Sequence, residues 1–152
     1  MRPITLLVLH CSASSFGDAA LIDRWHRARG FQKIGYHYVI LNGYRVKPSL
    51  VNKIMDCTDG GIEPGRNESE IGAHVEGYNR ESIGVCLIGN GSYSDAQLTS
   101  AQNLIVAILL VKYPQARLLG HYELNPNKTC PLLDMAALRA KWNLPEPDHL
   151  PK

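Results

Sequence analysis

Two short, nearly unbroken apolar runs, Ile4–Leu9 (ITLLVL) and Ile83–Ile88 (IGVCLI), restrict this chain more than any other feature. Both read as strands buried on both faces, which belong at the centre of a sheet covered by helices. Two stretches can supply the cover. Asp18 can N-cap a helix over Ala19–Arg29, closed by Gly30, with Leu21, Ile22, Trp25 and Ala28 on one face. Thr99-Ser100-Ala101-Gln102 fits a capping box with Thr99 as N-cap. The helix it opens, Ser100–Lys112, turns Leu104, Ile105, Ile108, Leu109 and Val111 inward, and Pro114 stops it.

The remaining segments fill in the sheet. Gly35–Leu41 alternates weakly and ends at Asn42-Gly43, which predicts a hairpin with Tyr44–Lys47 as its return strand. Tyr36 and Tyr38 then share one face, and His37 and Val39 the other. Pro48–Gly72 reads as an irregular surface region, with room for a short helix or strand near Lys53–Cys57. Ala73–Asn79 is a loop. Ala116–Leu119 is a further strand, and Leu133–Trp142 a last helix with Leu133, Ala137, Leu138 and Trp142 inward. The sum is an α/β fold, a mixed central sheet of about five strands flanked by helices. No repeat or linker divides the 152 residues, so the expectation is one domain, with 143–152 as a frayed tail.

Composition excludes little but steers the reading. A formal charge of +2, from scattered Lys and Arg, is too weak to argue for nucleic acid. Four cysteines could make two disulfides, but a chain of this length does not need them. Cys86 lies inside an apolar run as a buried free thiol, and the expectation is a protein made in a reducing compartment. Ile4–Leu9 is shorter than a signal-peptide core, and Leu104–Val111 is far too short to span a bilayer.

The chemistry gathers in Gly120–Pro131, GHYELNPNKTCP, where a short strand opens into a polar loop. His121 and Cys130 are zinc-ligand types, and Lys128 beside them could hold a developing negative charge. Two ligands do not make a catalytic zinc site, which usually takes three and leaves one position for water. His10, at the end of the first apolar run, is the best third candidate. Cys11 should point the other way and not share a metal with His10. On spacing alone, a surface histidine and a buried structural cysteine explain the same residues. His26 reads as a packed, hydrogen-bonded histidine beside the apolar face of its helix.

Six short motifs change that balance: Val8-Leu9-His10-Cys11-Ser12-Ala13, Trp25-His26, Gly35-Tyr36-His37, Gly72-Ala73-His74 with Gly77-Tyr78-Asn79, Ser82-Ile83-Gly84-Val85, and Gly120-His121 through Lys128-Thr129-Cys130-Pro131. In this order, across nearly the whole chain, they resemble the zinc-dependent N-acetylmuramoyl-L-alanine amidases of the phage lysozyme type. Those share their fold with the peptidoglycan recognition proteins. The resemblance implies one Zn2+ held by His10, His121 and Cys130, with Tyr36 and Lys128 catalytic. It implies a substrate cleft bordered by His74 and Asn79. The interval from His121 to Lys128 is one residue longer than in relatives of this type, through Asn125–Asn127. The implied partner is bacterial peptidoglycan, with no nucleic acid, no membrane insertion and a monomeric enzyme. The implied setting is the host cytoplasm, with action on the periplasmic wall after release. A non-catalytic peptidoglycan-binding module, and a hydrolase using Cys11 or Cys130 as nucleophile, are the competing readings.

Overall fold

The computed structural model describes residues 2–51 and 53–148. The chain runs β1 (Leu6–Cys11), α1 (Ala19–Ala28), β2 (Tyr38–Asn42), β3 (Asp59–Pro64), β4 (Ser82–Leu87), α2 (Asp95–Gln102), a π-helical stretch (Asn103–Leu109), α3 (Leu110–Lys112), β5 (Arg117–Gly120), α4 (His121–Leu124) and α5 (Met135–Lys141). The strands form one five-stranded sheet in the order β3-β2-β4-β1-β5. β1 lies parallel to β4 and β5, β2 parallel to β4, and β3 antiparallel to β2.

As their apolar runs predict, β1 and β4 are central, and every residue in them is buried. The period of two then sorts their side chains. Leu7, Leu9, Ile83, Val85 and Leu87 face the helical layer built from Leu104, Ile105, Leu109, Met135 and Trp142. Leu6, Val8 and His10 point to the other side. There Val75 packs on Leu6 and Val8, and α1 covers Val39, Cys86 and Ile88 through Ile22 and Trp25.

Local chemistry sets the helix ends. The Asp18 carboxylate accepts from Leu21 N–H and starts α1 as expected. The long helix starts five residues earlier than Thr99. Ser94 is its N-cap, in a reciprocal capping box with Gln97, and Ser94 Oγ donates to Asp59. Both tetrapeptides fit the same pattern, and Ser94 has the partner on β3. The π-helical stretch offsets the inward face, so Leu104, Ile105 and Leu109 are buried while Ile108 and Val111 are exposed. Leu138 and Trp142 face inward as expected, but α5 also buries Met135 and Arg139, and Ala137 is exposed, contrary to the expected face.

The hairpin expectation fails at its second strand. Gly43 turns the chain at φ +95°, but Tyr44–Lys47 does not pair with β2. Its polar groups go elsewhere: Tyr44 C=O accepts from Gly17, and Arg45 and Val46 N–H donate to Asp56. The Arg45 guanidinium bridges Asp18 and Glu63. The partner strand is β3, inside the region expected to be irregular. Gly60 there adopts φ +82°, and a Cβ on it would meet the Ala96 carbonyl of α2 at 2.7 Å. The Gly60-Gly61 pair thus serves a strand that runs under a helix. Lys53–Cys57 holds no regular element among the described residues.

Two further expectations change. Tyr36 and Tyr38 lie on opposite sides of the sheet, because regular pairing begins only at Tyr38. The expected frayed tail is held at its start. Leu144 packs on the core and Glu146 pairs with Arg139, while 149–152 fall outside the described residues.

Candidate metal centre and active-site cleft

The parallel register of β1 and β5 sets Leu9 opposite Gly120. The residue that follows each of them in the chain is a histidine. His10 is 1% exposed, and its ring centroid lies 4.6 Å from that of His121. At Gly120 the chain leaves the sheet and enters α4, with Gly120 N–H donating to Glu123 Oε1 at 2.9 Å. The Glu123 carboxylate takes two hydrogen bonds from Arg139, at 2.7 and 2.8 Å. Arg139 is 2% exposed and also donates to Leu118 C=O. A buried guanidinium on α5 therefore fixes the turn that carries His121.

Cys130 returns to the same point from downstream. Its carbonyl accepts from Tyr122 N–H at 3.0 Å, and its Sγ accepts from Cys11 N–H at 2.9 Å. His10, His121 and Cys130 each offer one donor atom, and the three lie within 4.8 Å of one another. Two imidazoles and a thiolate are a donor set that a catalytic zinc takes, with one position left for water. The ionisation of the rings agrees with that use. Burial holds His10 well below the usual histidine value. Burial and the Lys128 charge lower His121 in the same direction. Neutral imidazoles keep the lone pairs that a cation needs.

All four cysteines are free. Cys11 lies outside the three-donor group, and its backbone N–H is what it gives to Cys130 Sγ. The neighbouring Cys130 thiol lowers Cys11, and Cys11 in turn raises Cys130. Coordination of a cation would deprotonate the Cys130 thiol outright.

His121 and Cys130 line a cleft of about 530 Å³ together with Tyr36, His74, Asn79 and Lys128. The Tyr36 ring centroid is 5.0 Å from that of His10, and burial raises the phenol well above its usual value. Lys128 is exposed, at the end of a turn closed by its own N–H to Asn125 C=O at 3.0 Å. His74 is buried and has both ring nitrogens engaged, Nδ1 with His10 Nε2 at 2.8 Å and Nε2 with Ser82 Oγ at 3.1 Å. The Asn79 Oδ1 accepts from the N–H groups of His74 and Val75 and fixes that loop.

His26 is packed and hydrogen-bonded as expected, accepting from Gly35 N–H at Nδ1, and it also borders the cleft. Arg29 and Phe31 line it as well, with the guanidinium 5.5 Å over the ring. Nothing in the sequence pattern marks these two, because they follow a helix end with no periodic signal. The support from Arg139 and Glu123 was equally invisible.

Residues 1–132 match the family described as N-acetylmuramoyl-L-alanine amidase, a span that holds every donor and cleft residue named above. The chain belongs to that family. It is 34% identical over 140 residues to the endolysin of Escherichia phage T7, covering 85% of this chain and 81% of that one. Among solved structures, the N-acetylmuramoyl-L-alanine amidase LysC of Clostridium intestinale superposes with a TM-score of 0.76 at 25% identity, covering 95% and 88% of the two chains. Drosophila PGRP-LB gives a TM-score of 0.71 at 26% identity, covering 93% and 82%. The amidase family and its peptidoglycan recognition neighbours thus share this mixed sheet.

Proposed function

We propose that the protein hydrolyses the amide bond between the lactyl group of N-acetylmuramic acid and the first L-alanine of the peptidoglycan stem. One zinc ion held by His10, His121 and Cys130 would serve it. The observation that carries this reading is three donor atoms within 4.8 Å of one another, in a cleft that Tyr36 and Lys128 also line. When bound, zinc supplies Lewis acidity and lowers the pKa of a water from about 16 to about 7.

The rest falls to the side chains. His10 and His121 bring neutral lone pairs and Cys130 one negative charge, so the centre stays electrophilic. Attack on the amide carbon drives negative charge onto its oxygen. Lys128 is the cleft ammonium available to meet that charge, a contact of about 3 kcal/mol in comparable sites. Tyr36 keeps its hydroxyl proton, because burial raises its pKa. It can orient the attacking water or pass a proton to the departing amine.

The endolysin relatives support a role in host lysis, with synthesis in the cytoplasm and action on the wall after release. Among the described residues no helix is long and apolar enough to cross a membrane. Mass spectrometry of purified sacculi after digestion tests the reaction. The expected products are free stem peptides with a new L-alanine amino terminus and intact glycan strands. Binding to sacculi without release would favour the non-catalytic module instead.

A further inference from the structure

The proposed zinc site uses His10, His121 and Cys130, and leaves His74 and Ser82 without a task. Both are buried, at 9% and 0% exposure, on the side of the sheet opposite the helical layer. Their hydrogen bonds form a chain that ends on a ligand: Ser82 Oγ to His74 Nε2 at 3.1 Å, then His74 Nδ1 to His10 Nε2 at 2.8 Å. The chain is tightly enclosed. A Cβ on Gly84 would lie 2.7 Å from the His74 ring, and one on Gly72 would lie 2.7 Å from it on another approach. The His37 ring stands edge-on at 5.7 Å between centroids. His74 therefore has little room to turn.

From this geometry we infer that His74, backed by Ser82, is a positioning residue that sets the tautomer and ring orientation of His10 and thereby the affinity of the centre for zinc. The inference rests on the zinc reading of the site. The proton bookkeeping is determined by which atoms are free. His10 Nε2 faces His74, so the lone pair left for a cation is that of Nδ1. A neutral imidazole that binds through Nδ1 carries its proton on Nε2. His10 Nε2–H then donates to His74 Nδ1, which must be the acceptor. The proton of neutral His74 is then on Nε2, where it donates to Ser82 Oγ. Ligation thus requires one direction of donation along the whole chain, and no proton is gained or lost. Histidine ligands in zinc proteins commonly give their second N–H to a carboxylate or carbonyl, and losing that partner weakens metal binding by about 10- to 100-fold. Here a second imidazole takes that place. Both its nitrogens are then committed to the protein, so His74 meets the cleft with carbon atoms only.

The test compares wild type, His74→Asn, His74→Phe and Ser82→Ala by zinc titration against a competing chelator. The Oδ1 of an asparagine occupies the place of Nδ1 and can accept from His10, whereas phenylalanine fills the space with no acceptor. The expected result is near-wild-type affinity for His74→Asn and a loss of about 10- to 100-fold for His74→Phe. Ser82→Ala should fall between them, because His74 keeps its acceptor but loses its anchor. In zinc-loaded wild type, 15N shifts of the imidazoles should show His74 protonated at Nε2 and bare at Nδ1. Unchanged affinity in His74→Phe, equal losses in His74→Asn and His74→Phe, or the opposite tautomer would each overturn the inference. Wild-type protein that binds no zinc would overturn the metal reading and this inference with it.

Discussion

Leu9 and Gly120 are register partners across the parallel pair β1 and β5, and the residue after each is a proposed zinc ligand. The centre is therefore a property of strand register. A slip of one residue on β1 would turn His10 to the other face of the sheet, and one on β5 would displace the turn that carries His121. Cys130, the third donor, is held to the same point by Cys11 N–H, the next backbone donor on β1.

Packing around His74 should be felt at the metal. Gly84→Ala would place a methyl 2.7 Å from the buried His74 ring. Overpacking of this kind costs about 1–3 kcal/mol. We expect a lower melting temperature together with weaker zinc binding, measured by thermal unfolding and chelator competition. A drop in stability with unchanged zinc affinity would separate this position from the centre.

Arg139 should matter beyond its own helix. It is 2% exposed and paired to Glu123, which caps the turn carrying His121. Removing one member of a buried pair costs about 3–5 kcal/mol. Arg139→Ala should lower the unfolding free energy from urea titration by that amount and leave a folded fraction with reduced zinc occupancy. Measuring both on one preparation checks the link.

Stability should fall as the solution turns acid. His26 and His37 both accept a backbone N–H at Nδ1, from Gly35 and Gly84, and burial is the main cause that lowers both below 6.5. Protonation would replace each acceptor with a donor. Because the folded values are lower than the unfolded ones, the unfolded chain binds more protons below about pH 6.5, and stability falls there. Well above that pH these two groups are neutral in both states and contribute no slope. Urea unfolding at pH 7.5, 6.5 and 5.5 on chelator-treated protein should show a small decline in the first interval and most of it in the last.

Tyr36→Phe should retain zinc. Its ring packs 5.0 Å from that of His10, and phenylalanine preserves that packing. Turnover should fall by about 10²- to 10⁴-fold if the hydroxyl moves a proton. Steady-state rates beside metal content measure the split.

The sequence disclosed the centre of this molecule better than its edges. β1 and β4 were legible because burial on both faces leaves an apolar run that needs no partner to be recognised. β3 was hidden, since Gly60-Gly61 looks like loop until α2 is seen lying against it. The misplaced N-cap has a similar cause: Ser94 and Thr99 head identical patterns, and only the contact with Asp59 separates them. At the site, ligand types stood out by their chemistry and by resemblance. The supports did not, because Arg139 and Glu123 meet across 16 residues and have no local signature.

The central claim is a division of labour between Cys130, which holds the metal, and Lys128, which meets only the reacting oxygen. Zinc content and turnover measured on the same purified Cys130→Ser and Lys128→Ala proteins test it most directly. A serine hydroxyl supplies neither the charge nor the soft bond of a thiolate, so Cys130→Ser should lose zinc and activity together. Lys128→Ala should keep a full complement of zinc and lose about 10²–10³-fold in kcat, because the oxyanion exists only beyond the ground state. Near-normal turnover in Lys128→Ala, or zinc retained in Cys130→Ser, would contradict the account.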